Sequence, residues 1–265
     1  MKVFIAGAGE LGAVLAQQLV AAGDTVYALR RTPQLAQPGI QAICGALAQP
    51  DSYSAALGTC AAVVFCAAPE ARTELAYRTV YQHGLASLLA HCAERPVLLC
   101  TSTAVYAQDD GSWVDEQSAC LPVLFNGQIL LNAEQMLRPQ DTALRLSGIY
   151  GRNHSHLLSS VRAGTPVQSA PPLWSNRIHL QDAAGAIAHL LRMADREQIY
   201  NLSDDQPAPQ HQVHAWLADK LGLPPAPAKS GISAGKRVSN RRLRASGFSL
   251  RYPSFTHGYG QASVL

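Results

Sequence analysis

Short apolar runs alternate with stretches of helical periodicity up to Tyr150. The runs predict buried strands at residues 2–6, 25–29, 40–44, 61–66, 97–100 and 142–146. Between the first two runs, apolar residues recur at the spacing of a helix, at Leu11, Val14, Leu15 and Leu19. Strands without polar alternation are typical of a parallel sheet that is covered on both faces. The pattern therefore predicts the α/β class, with a doubly wound parallel sheet of the Rossmann type.

The pattern changes after Tyr150, where proline and glycine become frequent. Helical periodicity is present at residues 73–92, 126–137, 183–193 and 213–221. We expect a first domain at residues 1–152, completed by about 177–202. A smaller second domain is expected at residues 153–176 and 203–265.

A glycine-rich turn follows the first predicted strand and opens the first predicted helix. Residues 7–12 match the G-x-G-x-x-G pattern in the strand and helix context that the pattern requires. The first glycine allows the tight turn, the second lets the backbone approach a pyrophosphate, and the third lets helix and strand pack closely. The residues predicted to bind a dinucleotide here are Gly7, Gly9, Glu10, Leu11 and Gly12.

Two arginines stand where the second predicted strand ends, about 20 residues beyond the turn. An acidic residue at this place would bind the 2′-hydroxyl of NAD, whereas a guanidinium suits the 2′-phosphate of NADP. Arg30 and Arg31 therefore predict NADP(H) as the cofactor, with NAD(H) less favoured. The alternative is that both are solvated surface groups.

Six further segments carry a resemblance to a known family. They are residues 63–68 (VVFCAA), 101–106 (TSTAVY), 145–151 (RLSGIYG), 176–182 (NRIHLQD), 200–204 (YNLSD) and 235–240 (GKRVSN). In order and spacing they resemble the extended short-chain dehydrogenase/reductases, also called the NAD-dependent epimerase/dehydratase family, over nearly the whole chain. The resemblance implies a dinucleotide-binding first domain, for which the two arginines predict NADP, and a small C-terminal substrate domain.

The resemblance also implies roles for single residues. Those expected to line the cofactor are Cys66, Ala67, Ala68, Thr101 and Ser147. Ser102 takes the place of the catalytic Ser/Thr of the family, with a capping hydroxyl at a strand end as the alternative. A homodimer is implied as well, because the helices at 73–92 and 126–137 resemble those that pair subunits in the family.

The reaction centre of the family, Tyr-x-x-x-Lys, is missing. When Glu134 is aligned with the glutamate that commonly follows the motif, Asn126 stands at the tyrosine position and Leu130 at the lysine position. Neither side chain titrates, and we assign Asn126 to substrate binding. Another group would have to exchange the proton.

Tyr106 and Tyr150 are the candidates for that group because both follow strand ends, where ligands of such sheets bind. For each, a packed structural tyrosine is the alternative. His179 is a third candidate, with a structural histidine at the domain junction as its alternative.

Charge is spread unevenly although the net charge is only +3. Residues 1–219 carry 13 basic and 18 acidic groups, whereas residues 220–265 carry 8 basic and no acidic ones. Nucleic acid is not expected as a partner, because aromatic residues are not interleaved with the charges. The remaining explanations are a solvated face or a site for an anionic substrate. Lys236 and Arg237, in what resembles a loop entering a short helix, are the candidates for the substrate anion.

Six cysteines without a C-x-x-C pair indicate structural thiols in a reducing cytoplasm. No apolar run is long enough to predict a membrane span. The pairs His154 with His156 and His211 with His214 lack a third ligand at suitable spacing, so that no metal is expected.

Two functions stay open on the sequence. The first is an oxidoreductase or epimerase-like enzyme for an anionic small molecule, such as a nucleotide sugar. The second is a non-catalytic NADP(H) sensor whose partner binding depends on the state of the cofactor. A hydroxy-acid or ketopantoate-type reductase would share the glycine turn but is disfavoured. Those enzymes place an all-helical domain after the Rossmann unit, and residues 166–179 and 199–202 predict strand and loop.

Overall fold

The computed structural model describes residues 1–32, 38–151 and 156–260. The chain divides into two compact units, each built from several segments. The first unit comprises Met1–Tyr106, Cys120–Arg145 and Ala184–Tyr200. The second comprises Ala107–Ala119, Leu146–Ala183 and Asn201–Leu265.

The elements follow the alternation expected from the sequence. The strands are β1 (Lys2–Ala6), β2 (Thr25–Arg30), β3 (Ile40–Cys44), β4 (Ala62–Phe65), β5 (Val97–Ser102), β6 (Asp110–Val114), β7 (Thr142–Leu146), β8 (Gly148–Tyr150), β9 (Val167–Ala170), β10 (Trp174–Ser175), β11 (Arg177–His179), β12 (Ile199–Leu202), β13 (Ala208–Pro209), β14 (Ala228–Ser230) and β15 (Gly235–Val238). The α-helices are α1 (Glu10–Ala21), α2 (Ser54–Gly58), α3 (Glu74–Arg78), α4 (Leu85–Leu89), α5 (Phe125–Glu134), α6 (His156–Arg162), α7 (Leu180–Leu191), α8 (Gln210–Lys220), α9 (Arg241–Ala245) and α10 (Phe255–Tyr259). Short 3₁₀ turns cover Pro50–Ser52 and Thr103–Val105, and a π-helical segment, Thr79–Gly84, joins α3 to α4.

The main sheet has seven strands in the order β12-β7-β5-β4-β1-β2-β3. Strand β1 pairs in parallel with β2 and β4, β2 with β3, and β4 with β5. This confirms the doubly wound α/β fold. All four residues of β4 are buried, as expected for a strand covered on both faces. Because the strands are parallel, their carboxyl ends meet at one edge, and the strand order reverses between β1 and β4, where ligands of such sheets bind.

Helix α1 returns the chain from β1 to β2. Its buried face is made by Leu11, Val14, Leu15, Ala16 and Leu19. The helix ends in a Schellman turn: Gly23, with φ +86°, donates its N–H to the Val20 carbonyl, and the N–H of Asp24 donates to the Leu19 carbonyl. A left-handed φ of this kind favours glycine, so the sequence ends the helix where the structure does.

The second unit holds smaller sheets. A four-stranded sheet has the order β13-β10-β15-β6, and two further pairs join β11 to β8 and β14 to β9. Its apolar cluster contains Tyr150, Leu158, Val161, Ala208, Val213, Leu217, Ala218, Phe255 and Tyr259. The cluster is aromatic at one end, where Tyr150 lies 4.5 Å from Tyr259 between ring centroids.

The unit boundaries differ from those expected. After the segment of the first unit that ends at Arg145, the chain enters the second unit at Leu146 rather than after position 152, which itself lies outside the described residues. The reason is that β8 pairs with β11 and not with the main sheet. Residues 107–119 also belong to the second unit, because β6 pairs with β15.

Two local expectations are corrected. Lys236 and Arg237 lie on strand β15 rather than in a loop, since the backbone there pairs with β6, with Arg237 opposite Trp113. The expected short helix does follow, as α9. The single helix expected at 73–92 contains a π-helical segment, in which i→i+5 bonds replace the α-helical ones.

Candidate functional site

The glycine turn has the geometry that a dinucleotide requires. Gly7 has φ +101°, and a Cβ atom there would lie 2.4 Å from the Ala67 backbone. A Cβ atom on Gly12 would lie 2.3 Å from the Gly7 carbonyl oxygen. Gly9 differs, because a Cβ atom there would meet no atom within 4 Å. Gly7 and Gly12 therefore let the turn form, and Gly9 keeps the space above the turn clear.

The first turn of α1 faces that clear space. Gly9 is the N-cap of α1 and has no side chain to cap the helix. Amide groups in a first helical turn have no intrahelical acceptor, and with the helix dipole they attract an anion. Gly9 and Glu10 are exposed, whereas the Leu11 side chain is buried under the turn. The backbone of this segment fits a pyrophosphate.

The two arginines at the end of β2 differ in their surroundings. Both are exposed, but Arg31 forms an ion pair with Glu70 at 2.6 Å. The side chain of Arg30 has no partner among the residues that the structure describes. Since both members of the Arg31 pair are more than half exposed, the pair is weak and can exchange partners.

The segment after β4 forms the wall of the turn. The N–H of Cys66 donates to the Ala6 carbonyl at 2.8 Å. Ala67 stands against Gly7, and Ala68 is exposed beyond it. These three residues lie beside the dinucleotide turn.

Ser102 ends β5 at the same edge of the sheet and is half-buried. Its Oγ accepts a hydrogen bond from the Ala104 N–H at 3.2 Å, which caps the following 3₁₀ turn. A serine hydroxyl can accept and donate at once, so its hydrogen stays available. The capping role expected as the alternative is therefore present, and it leaves the donor free.

Helix α5 carries the positions of the missing dyad. Asn126 and Leu130 are 8% and 2% exposed, so both lie on the buried face of the helix. The helix comes close to the 3₁₀ turn after Ser102, because a Cβ atom on Gly127 would lie 2.5 Å from the Ala104 carbonyl oxygen.

Tyr106 and Thr101 belong to a buried polar network, not to the glycine turn. Arg145 donates from Nη1 to the Tyr106 hydroxyl at 2.9 Å and pairs through Nη2 with Glu134 at 2.6 Å. Thr101 donates from Oγ1 to Glu134 at 2.8 Å. Burial lowers the pKa of Arg145, but the Glu134 carboxylate outweighs burial and leaves that pKa raised. The network is held by one buried ion pair.

Tyr150 and His179 lie in the second unit, edge to face with ring centroids 5.2 Å apart. The Tyr150 hydroxyl donates to the Ser254 carbonyl at 3.3 Å, and burial raises the pKa of Tyr150. Burial, with the Arg251 charge, lowers the pKa of His179 to about 4. Its Nδ1 accepts the Gln181 N–H, as a neutral imidazole does. This environment fits a structural histidine.

Ser147 lies in the second unit and is 4% exposed. Its hydroxyl oxygen has no partner among the described residues, and the same holds for Nη1 of Arg177 and Oδ2 of Asp204. Burial raises the pKa of Asp204 to about 8, against the lowering effect of Arg177. The sequence does not predict that Arg177 and Asp204 are neighbours, because no motif relates a basic and an acidic residue that are 27 positions apart.

Arg237 is held between two indole rings. Its guanidinium carbon lies 4.9 Å from the ring centroid of Trp174 and 5.2 Å from that of Trp113. Its Nε donates to the Gly111 carbonyl at 2.7 Å, and its terminal nitrogens have no acceptor in the described part of the chain. Burial lowers the pKa of the neighbouring Lys236, opposed by Asp109. Trp113, which is 55% exposed, and Trp174 were not predicted from the sequence.

The remaining arginines of the basic region are partly paired. Arg242 lies 3.9 Å from Glu116, and Arg244 lies 3.7 Å from Asp205. Arg237 thus differs from the arginines of α9 because indole rings, rather than a carboxylate, lie against its guanidinium.

No three His, Cys, Asp or Glu residues come together as a possible metal site within the described ranges. His154 lies outside those ranges. In the described chain no helix has both the length and the apolar character needed to cross a membrane.

Fold and turn together define a dinucleotide-binding α/β protein of the doubly wound class. The chain belongs to the NAD(P)H-binding family, whose model matches residues 6–139. The expected nicotinamide cofactor and the resemblance to the NAD-dependent epimerase/dehydratases are confirmed.

Similar proteins cover almost the whole chain. A Methylobacillus flagellatus protein, provisionally described as an NAD-dependent epimerase/dehydratase, is 34% identical with a TM-score of 0.85, and the match covers 98% of this chain and 96% of that one. Protein YeeZ of Escherichia coli K12 is 27% identical over 282 residues, which cover 95% of this chain and 96% of YeeZ. MoeE5, solved with UDP-glucuronic acid and NAD, shows a likeness of fold, with a TM-score of 0.81 at 22% identity over 98% of this chain and 97% of MoeE5.

Proposed function

We propose that the chain is an NADP(H)-dependent oxidoreductase or epimerase-like enzyme that acts on an anionic small molecule, such as a nucleotide sugar. The observation that carries this proposal is a row of groups along the carboxyl edge of the sheet. It runs from Arg30 at the end of β2, through the glycine turn after β1 and Cys66 after β4, to Ser102 at the end of β5. With neighbouring strands about 4.8 Å apart, the row extends about 14 Å.

A bound nicotinamide supplies or accepts a hydride. Within the row, the Ser102 hydroxyl is the group that can donate a hydrogen bond to the reacting oxygen, because its Oγ only accepts from Ala104. The MoeE5 structure, which holds UDP-glucuronic acid and NAD, supports a nucleotide sugar as the substrate class.

The preference for NADP(H) is tested at the end of β2. We expect Arg30→Ala to lower NADPH affinity about 10- to 100-fold, the equivalent of one charge-assisted hydrogen bond, and to leave NADH affinity unchanged. Arg31→Ala should have a smaller effect because Glu70 competes with the cofactor for that guanidinium. Glu70→Gln, which releases Arg31, should raise NADPH affinity. Calorimetric titration with both cofactors measures all four effects, and an unchanged NADPH to NADH ratio in the Arg30, Arg31 double variant would refute the preference.

The anionic substrate is proposed to bind Arg237. Both terminal nitrogens of this guanidinium are available, and the two indoles with the Gly111 carbonyl hold its plane in place. A planar fork held in this way suits a phosphate or carboxylate. The half-exposed Trp113 ring beside it can cover the apolar face of a sugar or base.

We expect Arg237→Met to weaken binding of UDP-glucuronic acid about 10- to 100-fold in the presence of NADP⁺. Arg241→Met is the matched control, since it removes the same charge from an exposed position on α9. Calorimetry on the two variants makes the comparison. Equal affinities in the two variants would mean that Arg237 does not hold the anion.

A second candidate function is the non-catalytic sensor. It is favoured by Asn126 and Leu130, because neither of these two side chains, which stand at the positions of the missing dyad, can titrate. Turnover distinguishes the two: an enzyme oxidises NADPH when a substrate panel is supplied, whereas a sensor captures a protein partner in only one cofactor state.

Independently of the choice between enzyme and sensor, we propose that the chain forms a homodimer. Four apolar side chains around α3 and the start of α5 are exposed and could pack against a second copy, namely Leu75, Leu121, Val123 and Leu124.

We propose the cytoplasm as the compartment, because all six cysteines are described and none forms a disulfide.

A further inference from the structure

Two thiols lie against each other beside the glycine turn. Strands β4 and β5 pair in parallel with Phe65 opposite Leu99, so the next residues along, Cys66 and Cys100, are cross-strand neighbours. Their sulfur atoms are 3.6 Å apart and share a hydrogen bond. The nicotinamide chemistry proposed above does not use this pair.

The backbone spacing suits a disulfide. Residues opposite each other on neighbouring strands have Cα atoms about 5 Å apart, within the range that a disulfide bridges. The sulfur atoms would have to approach by about 1.5 Å to reach bonding distance, which rotation of the two side chains can supply.

The two thiols differ in access. Cys66 is half-buried at the strand end, whereas Cys100 is 6% exposed inside β5. The hydrogen bond with Cys66, together with burial, raises the pKa of Cys100 well above its usual value. An oxidant therefore reaches Cys66 first, and Cys100 is placed to react second.

We propose that Cys66 and Cys100 are an oxidative modification site. Hydroperoxides oxidise the two thiols to a reversible disulfide between them, and this disulfide weakens NAD(P)H binding. The Cys66 thiolate attacks the O–O bond of the peroxide, giving a sulfenic acid and, after proton transfer, water from hydrogen peroxide or an alcohol from an alkyl hydroperoxide. The Cys100 sulfur then displaces hydroxide from the sulfenic sulfur, and the Cys100 thiol proton leaves with it as water. The two thiols lose two electrons and two protons, and the peroxide is reduced by two electrons.

The link to the cofactor is the backbone of Cys66. Its N–H bonds to the Ala6 carbonyl, and its carbonyl carbon lies 2.8 Å from where a Cβ on Gly7 would be. A disulfide draws this segment toward β5 and away from the turn that it supports. By linkage, bound NADPH must then oppose disulfide formation by the same factor.

The test uses the full chain, reduced and desalted, then treated with hydrogen peroxide or with the thiol oxidant diamide and mapped by mass spectrometry after alkylation. We expect one cross-linked peptide pair, containing Cys66 and Cys100, that forms more slowly when NADPH is present. Calorimetry should show NADPH affinity falling at least about fivefold on oxidation and recovering with dithiothreitol. Absence of that cross-link, or an oxidised protein that binds NADPH as the reduced one does, would overturn the proposal.

Cys100→Ser removes the second thiol. Cys100→Ala is made as a second variant in case the buried serine hydroxyl impairs folding. Either variant should keep its NADPH affinity through diamide treatment. Loss of affinity equal to that of the wild type would show that the disulfide is not the cause. Cys60→Ser is the matched control, because Cys60 is buried in the same unit without a thiol partner within the described residues, and its cross-link should match that of the wild type.

Discussion

Replacing Gly9 with alanine is expected to lower NADPH affinity about 100-fold, the equivalent of about 2.7 kcal/mol, while stability changes little. Gly9 has φ −73°, which alanine adopts readily, and the added methyl group would meet no protein atom within 4 Å. That methyl group would stand over the first turn of α1, where the pyrophosphate must approach. Calorimetry with NADPH and urea unfolding together measure the two effects.

Two other glycines provide the comparison. Gly58→Ala also meets no atom within 4 Å but lies at the end of α2, so it should change neither affinity nor stability. Gly12→Ala would push against the Gly7 carbonyl oxygen at 2.3 Å, so it should lose stability and affinity together. NADPH binding by Gly9→Ala at the wild-type affinity would mean that the open space above the turn is not where the cofactor binds.

Replacing Glu134 with glutamine is expected to lower the free energy of unfolding by about 3 to 5 kcal/mol. The side chains of Glu134 and Arg145 are 6% and 3% exposed, so the change leaves a buried guanidinium charge without its carboxylate. Thr101 would also lose its charged acceptor, and the Tyr106 hydroxyl would be bonded to a guanidinium that no longer has its carboxylate. Urea denaturation measures the loss, and adding Arg145→Met to the Glu134 variant should recover part of it because the unpaired charge is then absent.

The exposed pair of Glu74 with Arg78 is the control for that experiment. It has the same 2.6 Å separation, but its side chains are 54% and 46% exposed. Glu74→Gln should cost less than about 1 kcal/mol, because water screens and replaces the interaction. Similar losses for Glu74→Gln and Glu134→Gln would mean that the Arg145 charge is not isolated from solvent.

The sequence predicted candidate catalytic residues from their positions after strand ends. In the structure these residues have different hydrogen-bond partners. Ser102 lies in the row with the glycine turn and keeps a free donor. Tyr106 is held by Arg145 inside the first unit, and Tyr150 is held by the Ser254 carbonyl inside the second. Position at a strand end is a local property, whereas hydrogen-bond partners depend on residues far along the chain.

Local rules determined the dinucleotide turn. Gly7, Gly9 and Gly12 can be read from the sequence because each is required by a left-handed φ, a clear approach or a close contact within one strand, turn and helix. The buried strands could be read as well, since an unbroken apolar run is the direct consequence of covering both faces of a sheet.

Tertiary structure alone decided which distant side chains meet. Strand register set Cys66 against Cys100, and the pairing of β15 with β6 and β10 enclosed Arg237 between Trp113 and Trp174. No spacing along the chain predicts such contacts, because they arise from hydrogen bonds between strands that the chain brings together only when it folds. The sequence thus determined the glycine turn and the strand and helix that flank it, whereas the pairing of strands determined which distant side chains face each other inside each unit.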